Sequence, residues 1–321
     1  MRLRKNYAYN SSAIDVLLSK DPTQMTVKER IKLTSSCKDT EAIPKVSNAG
    51  AIKKINGSKV QVMHNGIKIL AGSYYGDLIT PIIKSLRGHH EPQEEKVFYY
   101  LLKRIGKENP TMIELGSHWA YYSLWFKKVF PKSFNLCCEP DPYNLEMGKT
   151  NAKINNYEDI IFLQCLAGSE NNKEAIFNLD SNPKEQITLP VRSVDNLCKE
   201  YKIKYLDILH FDVQGHELDT LHGALSIIKS HKIRFVVIST HHYLFSHDPL
   251  THQKCEKFIL EHGGHIIASH NVRQSFSGDG LIVASFERKD ANFTVEVSVN
   301  NGDSLFRPYE NDLDILINHF K

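Results

Sequence analysis

The sequence predicts an α/β fold: a doubly wound, mostly parallel sheet of seven strands with an antiparallel terminal strand. Three observations carry this. From about residue 106 onward, short apolar runs alternate with helical patterns, the rhythm of a parallel sheet wrapped by helices. Glycine and acidic residues stand where several of those runs stop, as at the carboxyl ends of parallel strands where ligands bind. Only Asn271 to Gly280 separate the last two runs, too few residues for a helical crossover, so these two must pair antiparallel.

The runs read as strands are 112–115, 134–138, 160–163, 206–211, 235–238, 265–268 and 281–284. Upstream, 93–105 reads as a helix with Val97, Phe98, Leu101 and Leu102 on one face. Residues 59–70 alternate around Asn65-Gly66, a strong hairpin signal. Before them lie an amphipathic stretch at 13–18, a break at Pro22 and a helical pattern at 26–33. After the last run, alternation around Asn301-Gly302 and an amphipathic stretch at 313–320 predict a small β-hairpin and a helix. The division is a helical and hairpin cap over 1–90, a ligand-binding domain over 91–286 and a C-terminal extension over 287–321.

Composition narrows the function classes. With 321 residues, 41% apolar, and 40 Lys+Arg against 37 Asp+Glu, the chain is an ordinary globular one with a real core. A net charge of +3 without a basic stripe gives no footprint for nucleic acid. No window approaches the ~18 apolar residues of a membrane span, and no apolar leader segment is present, which points to the cytoplasm. Cys37, Cys137, Cys138, Cys165, Cys198 and Cys255 form no C-x-x-C pair and read as reduced core residues. Oligomeric state is not legible.

Three blocks carry chemistry. In the first, Glu114-Leu115-Gly116-Ser117 closes one strand and a helix containing Tyr122 and Ser123 follows. A glycine there lets the backbone approach a bound cofactor, although a plain strand–turn–helix has the same form. In the second, Glu139-Pro140-Asp141 closes the next strand. Glu139 follows Gly116 at the ~20-residue spacing at which an acid hydrogen-bonds ribose hydroxyls in doubly wound folds. Asp141 is a suitable helix N-cap. The turn lacks the G-x-G-x-x-G spacing that a dinucleotide pyrophosphate demands, which disfavours NAD or nucleotide-sugar chemistry. In the third, Asp212-Val213-Gln214-Gly215-His216-Glu217 follows the fourth strand. Asp212 there suits orienting a nucleophile, acting as a base, holding a cation, or capping a helix.

Together with 191–197, these blocks resemble the FkbM family of S-adenosylmethionine-dependent methyltransferases over about residues 91–286. The family pattern is acid-x-Gly, then Glu-Pro-Asp, then Asp-Val-Glu-Gly-x-Glu. This chain departs from it at Ser117-His118-Trp119-Ala120 and at Gln214. The resemblance implies a Rossmann-like class I methyltransferase that moves a methyl group from S-adenosylmethionine to an oxygen of a sugar, glycan or other small molecule. It further implies that Glu114, Gly116, Ser117 and Ser123 line the methionine side of the cofactor. Glu139 would take the ribose, Asp141 and Asn144 the region beside it, Ala167 the adenine, and Asp212 would face the methyl group. Methyl transfer to nitrogen and a non-catalytic cofactor-binding scaffold are the competing readings.

Sixteen histidines are present, and several fall at expected sheet edges. His241 and His242 end the fifth strand, His270 ends the sixth, and Asp279 tips the terminal hairpin. One reading takes His241, His242 and Asp279 as catalytic partners of Asp212, with imidazole as a base suited to neutral pH. Another places a divalent metal on Asp212 and His241. His90 and Glu91, just before the first domain helix, and His270 are candidates for acceptor contacts; loop or capping roles fit each of them as well.

Overall fold

The computed structural model describes residues 25–306 apart from 56, 172 and 303. Its first helix, α1 (Val27–Ser36), is set by a capping box: the Thr26 hydroxyl accepts the Glu29 amide while the Glu29 carboxylate accepts the Thr26 amide. A three-stranded antiparallel meander follows, β1 (Ile52–Ile55), β2 (Ser58–Val62) and β3 (Lys68–Leu70). The chain turns between β2 and β3 at Asn65-Gly66 as expected, with Asn65 Oδ1 accepting the Ile67 amide. Helix α2 (Gly76–Ser85) leads to α3 (Pro92–Arg104). Proline in the first turn of α3 sacrifices no hydrogen bond. Glu94 and Glu95 near its start and Lys103 and Arg104 near its end suit the helix dipole.

The main sheet is then laid down. Strand β4 (Thr111–Leu115) is followed by α4 (Tyr121–Val129), β5 (Phe134–Cys138), α5 (Pro142–Ile154) and β6 (Ile161–Leu163). The chain next makes a side sheet of β7 (Leu166–Ala167), β8 (Glu174–Asn178) and β9 (Gln186–Arg192). Helix α6 (Val194–Glu200) returns it to the main sheet at β10 (Leu206–Phe211). After α7 (Glu217–His222) and α8 (Leu225–Lys229) come β11 (Ile233–Thr240), α9 (Tyr243–Ser246), α10 (Thr251–Glu261), β12 (His265–His270) and β13 (Gly280–Ser285). The strand order is β12-β13-β11-β10-β4-β5-β6. Strand β13 is antiparallel to both of its neighbours, and the other pairs are parallel. All seven expected strands form, in the expected orientation.

Because the central strands are covered on both faces, their side chains alternate between two cores. Met112, Ile208 and Phe235 pack with Phe98, Leu124 and Trp125 on one side. Ile113, Leu209 and Val236 pack with Leu197, Leu221 and Ile259 on the other. Each such side chain contributes about 1.5–3 kcal/mol on burial. The chain runs outward from β4 in one direction and from β10 in the other, so the topological switch lies between these two strands. Loops after them diverge there and leave a crevice.

Five elements escape the sequence reading: β1, α2 and the three strands of the side sheet, β7, β8 and β9. The hairpin expected around Asn301-Gly302 does not form among the described residues. Backbone in that region is satisfied by the body instead: Val295 donates to the Ile267 carbonyl, Ser298 to the Asp39 carboxylate and Asn300 to the Gln274 carbonyl. The stretches 13–18 and 313–320 lie outside the described residues. The six cysteines are buried and free. No helix among the described residues is long and apolar enough to cross a membrane.

Candidate active site

The crevice is built by three strand-end loops that brace one another. After β4, the amides of Gly116 and Ser117 both donate to the Cys138 carbonyl at the end of β5, at 2.9 and 3.0 Å. The Asp212 amide donates to the Leu115 carbonyl. Gly116 has φ +70°, and a Cβ on it would lie 1.7 Å from the Asp212 carbonyl oxygen, so the two loops touch only because this residue is glycine. Three non-glycine residues on the cavity lining, Tyr75, His118 and Gln214, also have positive φ. Such conformations cost ~1–2 kcal/mol each and persist where packing enforces them.

Two carboxylates are held inward. Glu114 accepts the Ser123 amide at 2.9 Å, and burial raises its pKa against the pull of His210 and that amide. Glu139 accepts the amides of His118 (2.8 Å) and Asp141 (3.0 Å). Burial nonetheless pushes Glu139 up to about 8, the two amides only tempering the shift.

Between the loops lies a cavity of ≈ 460 Å³, a size usual for small-molecule sites. Leu166, Ala167, Phe177 and Val191 give it an apolar end, Gly116, Ser117 and Glu139 stand on its wall, and Glu114, His210 and Asp212 line it as well. A second cavity of ≈ 330 Å³ shares Tyr74, Tyr75, His90, Glu91, Asp212 and Gln214 with the first. It is closed by Arg30 of α1, by Leu78, Ile79 and Ile82 of α2, and by Asp279. Tyr74 stacks on Trp119 with ring centroids 4.9 Å apart, placing an aromatic wall along the shared boundary.

Acid–base groups concentrate in the second cavity. The His241 Nε2 lies 3.0 Å from Asp212 Oδ1 and 3.6 Å from Asp279 Oδ1, and its Nδ1 lies 2.6 Å from Glu217 Oε1. Burial opposes charge on His241, but Asp279, Asp212 and Glu217 outweigh it and hold its pKa well above the ordinary imidazole value. Burial also pushes Asp212 up, yet His241 and His210 keep it below the usual carboxylate range. Asp279 goes the other way: burial and the neighbouring acids carry it to about 7 despite the pull of His241. Nearby, His90 contacts Glu91 at 3.2 Å and Glu95 at 2.8 Å; these two carry its pKa to about 10 against burial. Glu91 accepts the Tyr122 hydroxyl at 2.9 Å.

Of the residues singled out by sequence, Glu114, Gly116, Ser117, Glu139 and Ala167 line the large cavity, His241 and Asp279 the smaller one, and Asp212, His90 and Glu91 both. Five others are not brought to either. Ser123 acts through its amide, which fixes Glu114. Asp141 is spent as the N-cap of α5, accepting the Tyr143 amide and both the amide and hydroxyl of Ser181. Asn144 is buried within α5. His242 stacks on Phe306 instead of following its neighbour, because successive residues leaving a strand face opposite ways. His270 turns back to the Asn271 carbonyl, and burial lowers its pKa to about 4. Asp212 and His241 meet as an ion pair; the compact donor group among the described residues is His64, His89 and Glu95, outside both cavities. There Glu95 accepts the His90 and Glu91 amides and so fixes the loop that carries His90.

Tyr74, Tyr75, His118, Trp119, Glu94, His210 and Glu217 were missed as site residues. The glycines flanking Tyr74-Tyr75, Gly72 and Gly76, were the one local signal of a special turn there.

Residues 104–266, about half of the chain, match the model of the methyltransferase FkbM domain. The chain belongs to this family. It is a methyltransferase that uses S-adenosylmethionine, and the cavity suits that cofactor: it has an apolar end at Leu166, Ala167, Phe177 and Val191, and a buried carboxylate, Glu139, stands on the wall. Among solved structures, the FkbM chain is similar to precorrin-6y C5,15-methyltransferase from Geobacter metallireducens GS-15, with 12% identity over 60% of this chain and 88% of that one (TM-score 0.39). It is also similar to ribosomal protein L11 methylase from Lactobacillus delbrueckii subsp. bulgaricus, with 15% identity over 68% and 94% of the two chains (TM-score 0.37). A third is magnesium protoporphyrin IX methyltransferase from Synechocystis PCC 6803, with 8% identity over 60% and 78% (TM-score 0.39). No curated protein sequence matches the chain.

Proposed function

We propose that this FkbM-family enzyme methylates an oxygen of a hydroxylated small molecule, a sugar or glycan being the favoured class. The observation that carries the reading is His241 in the second cavity, flanked by Asp212 and Asp279 and one residue away from the cofactor wall. A hydroxyl must lose its proton to become a good nucleophile, whereas a neutral amine needs no such help. S-adenosylmethionine supplies an electrophilic methyl group when bound. In this reading Glu139 accepts the ribose hydroxyls, Ala167 and its apolar neighbours hold the adenine, and Glu114, Gly116 and Ser117 border the methionine end. Asp212 spans both cavities and pairs with His241 once the ring is charged; His90 and Glu91 contact the acceptor. His241 takes the acceptor proton at Nε2.

The test is to incubate the enzyme with labelled cofactor and matched panels of polyols, glycans and amines, reading the modified atom by mass spectrometry and NMR. Label on oxygen supports the reading, and label on nitrogen alone overturns it.

Two further outcomes follow. The three carboxylates around His241 keep its proton on to higher pH than usual, so the base form grows in as pH rises. Turnover at saturating cofactor should therefore still be climbing as pH passes ~6.5, the ordinary imidazole value; a profile already flat there would remove His241 from the role. Asp279→Asn keeps the turn preference but removes the charge, and should lower turnover roughly tenfold, about 1.4 kcal/mol, with the melting temperature unchanged. Normal turnover would reduce Asp279 to a turn residue.

A further inference from the structure

Glu217 opens α7 directly after the Gly215 turn, and its side chain is wholly buried. A carboxylate taken out of water costs several kcal/mol unless neighbours hold it. Two do, both at Oε1: the Gly215 amide donates at 2.8 Å, and His241 Nδ1 lies at 2.6 Å. Oε2 has no hydrogen-bond partner among the described residues. The amide contact alone would satisfy a helix-start acid, so the contact to His241 is a second, separate feature. Its geometry divides the ring. Nδ1 is held from inside the protein, while Nε2 faces Asp212, Gln214 (2.9 Å) and Asp279 along the second cavity. The backbone around it is locked as well: Gly215 has φ +101°, and a Cβ there would lie 2.6 Å from Ser246 Cα in α9, the helix that follows His241.

We propose that Glu217 is a positioning residue for His241. It accepts the Nδ1–H, so the neutral ring keeps its lone pair on Nε2, toward the acceptor, and it remains hydrogen-bonded to the imidazolium that forms. The proton balance is simple. The acceptor O–H bond breaks, its electron pair stays on oxygen, and the proton bonds to Nε2; Glu217 changes no bond of its own. The proposal rests on the reading of His241 as the base.

The test uses the full chain and Glu217→Gln, which keeps size but offers an amide. The variant should fold and bind S-adenosylhomocysteine like the parent. Its kcat should drop roughly ten- to a hundredfold, the range for a hydrogen bond to a charged group, with acceptor KM little changed. In ¹⁵N-histidine NMR, the parent should show a downfield Nδ1–H proton, assigned by its loss in His241→Gln, and Glu217→Gln should lose it. An unchanged kcat, or persistence of that resonance, overturns the proposal. If Glu217→Gln does not fold, the parent spectrum decides: no downfield Nδ1–H overturns it. Full turnover in His241→Ala is a different result, because it removes the base reading itself, and the resonance alone then judges whether Glu217 holds Nδ1.

Discussion

Replacing His241 with alanine is expected to lower turnover by a factor of roughly 10²–10⁴, the usual worth of a positioned acid–base group. S-adenosylhomocysteine affinity should stay at the parent value, because His241 lines only the second cavity. The effect should be large for three reasons. The ring is buried, so bulk water cannot easily replace it. Its Nε2 is the nitrogen that faces the cavity. And the carboxylates that raise its pKa also make it a stronger base toward a hydroxyl. Removing the ring leaves Asp212, Asp279 and Glu217 without their cation, so a modest loss of stability should accompany the kinetic defect at pH values where the parent's ring is charged, and should shrink as pH rises through its raised pKa. Single-turnover kinetics with pre-bound cofactor would isolate the proton step. A rate within a few-fold of the parent would sink the assignment.

Glu139→Ala should weaken cofactor binding by about 1.5–3 kcal/mol, the range for hydrogen bonds to a charged group. The residue is 3% exposed and already accepts two amides, so it is oriented before any ligand arrives. Burial places its pKa at about 8, which gives the assignment a signature. Below that value the group carries a proton and is a poorer acceptor; above it the carboxylate can accept both ribose hydroxyls. Affinity for S-adenosylhomocysteine should therefore tighten as pH rises through about 8, and that dependence should vanish in Glu139→Ala. Calorimetry across that range tests both points, and unchanged affinity in a folded variant would refute the role.

The seven strands of the main sheet were legible because each is a short apolar run bounded by polar or glycine-rich residues. The terminal pairing followed from the short connection between 270 and 280. Glu114, Gly116, Glu139 and Asp212 were legible for a related reason: a ligand at the carboxyl edge of a parallel sheet must be met by residues that directly follow strands. The side sheet was not, since Glu174–Asn178 and Gln186–Arg192 are mixed in polarity and pair mainly with each other.

Sequence by itself thus determined the strands of the sheet, the antiparallel final pair and the acids at its edge, because these depend on periodicity and on local turns; the strand order, and with it the switch point, is set by packing. Tertiary structure decided which side chains share a cavity. Consecutive His241 and His242 part company because alternation sends one ring to Asp212 and the other to Phe306. Asp141 is withdrawn by Ser181, 40 residues on. Arg30, Tyr74 and Glu91 come to the site from segments that precede the main sheet, bringing the second cavity with them. Glu217 acquires its partner across a 24-residue separation that no local pattern encodes. Such contacts arise from packing between distant segments, whose energies are settled only when the cores on both faces of the sheet close.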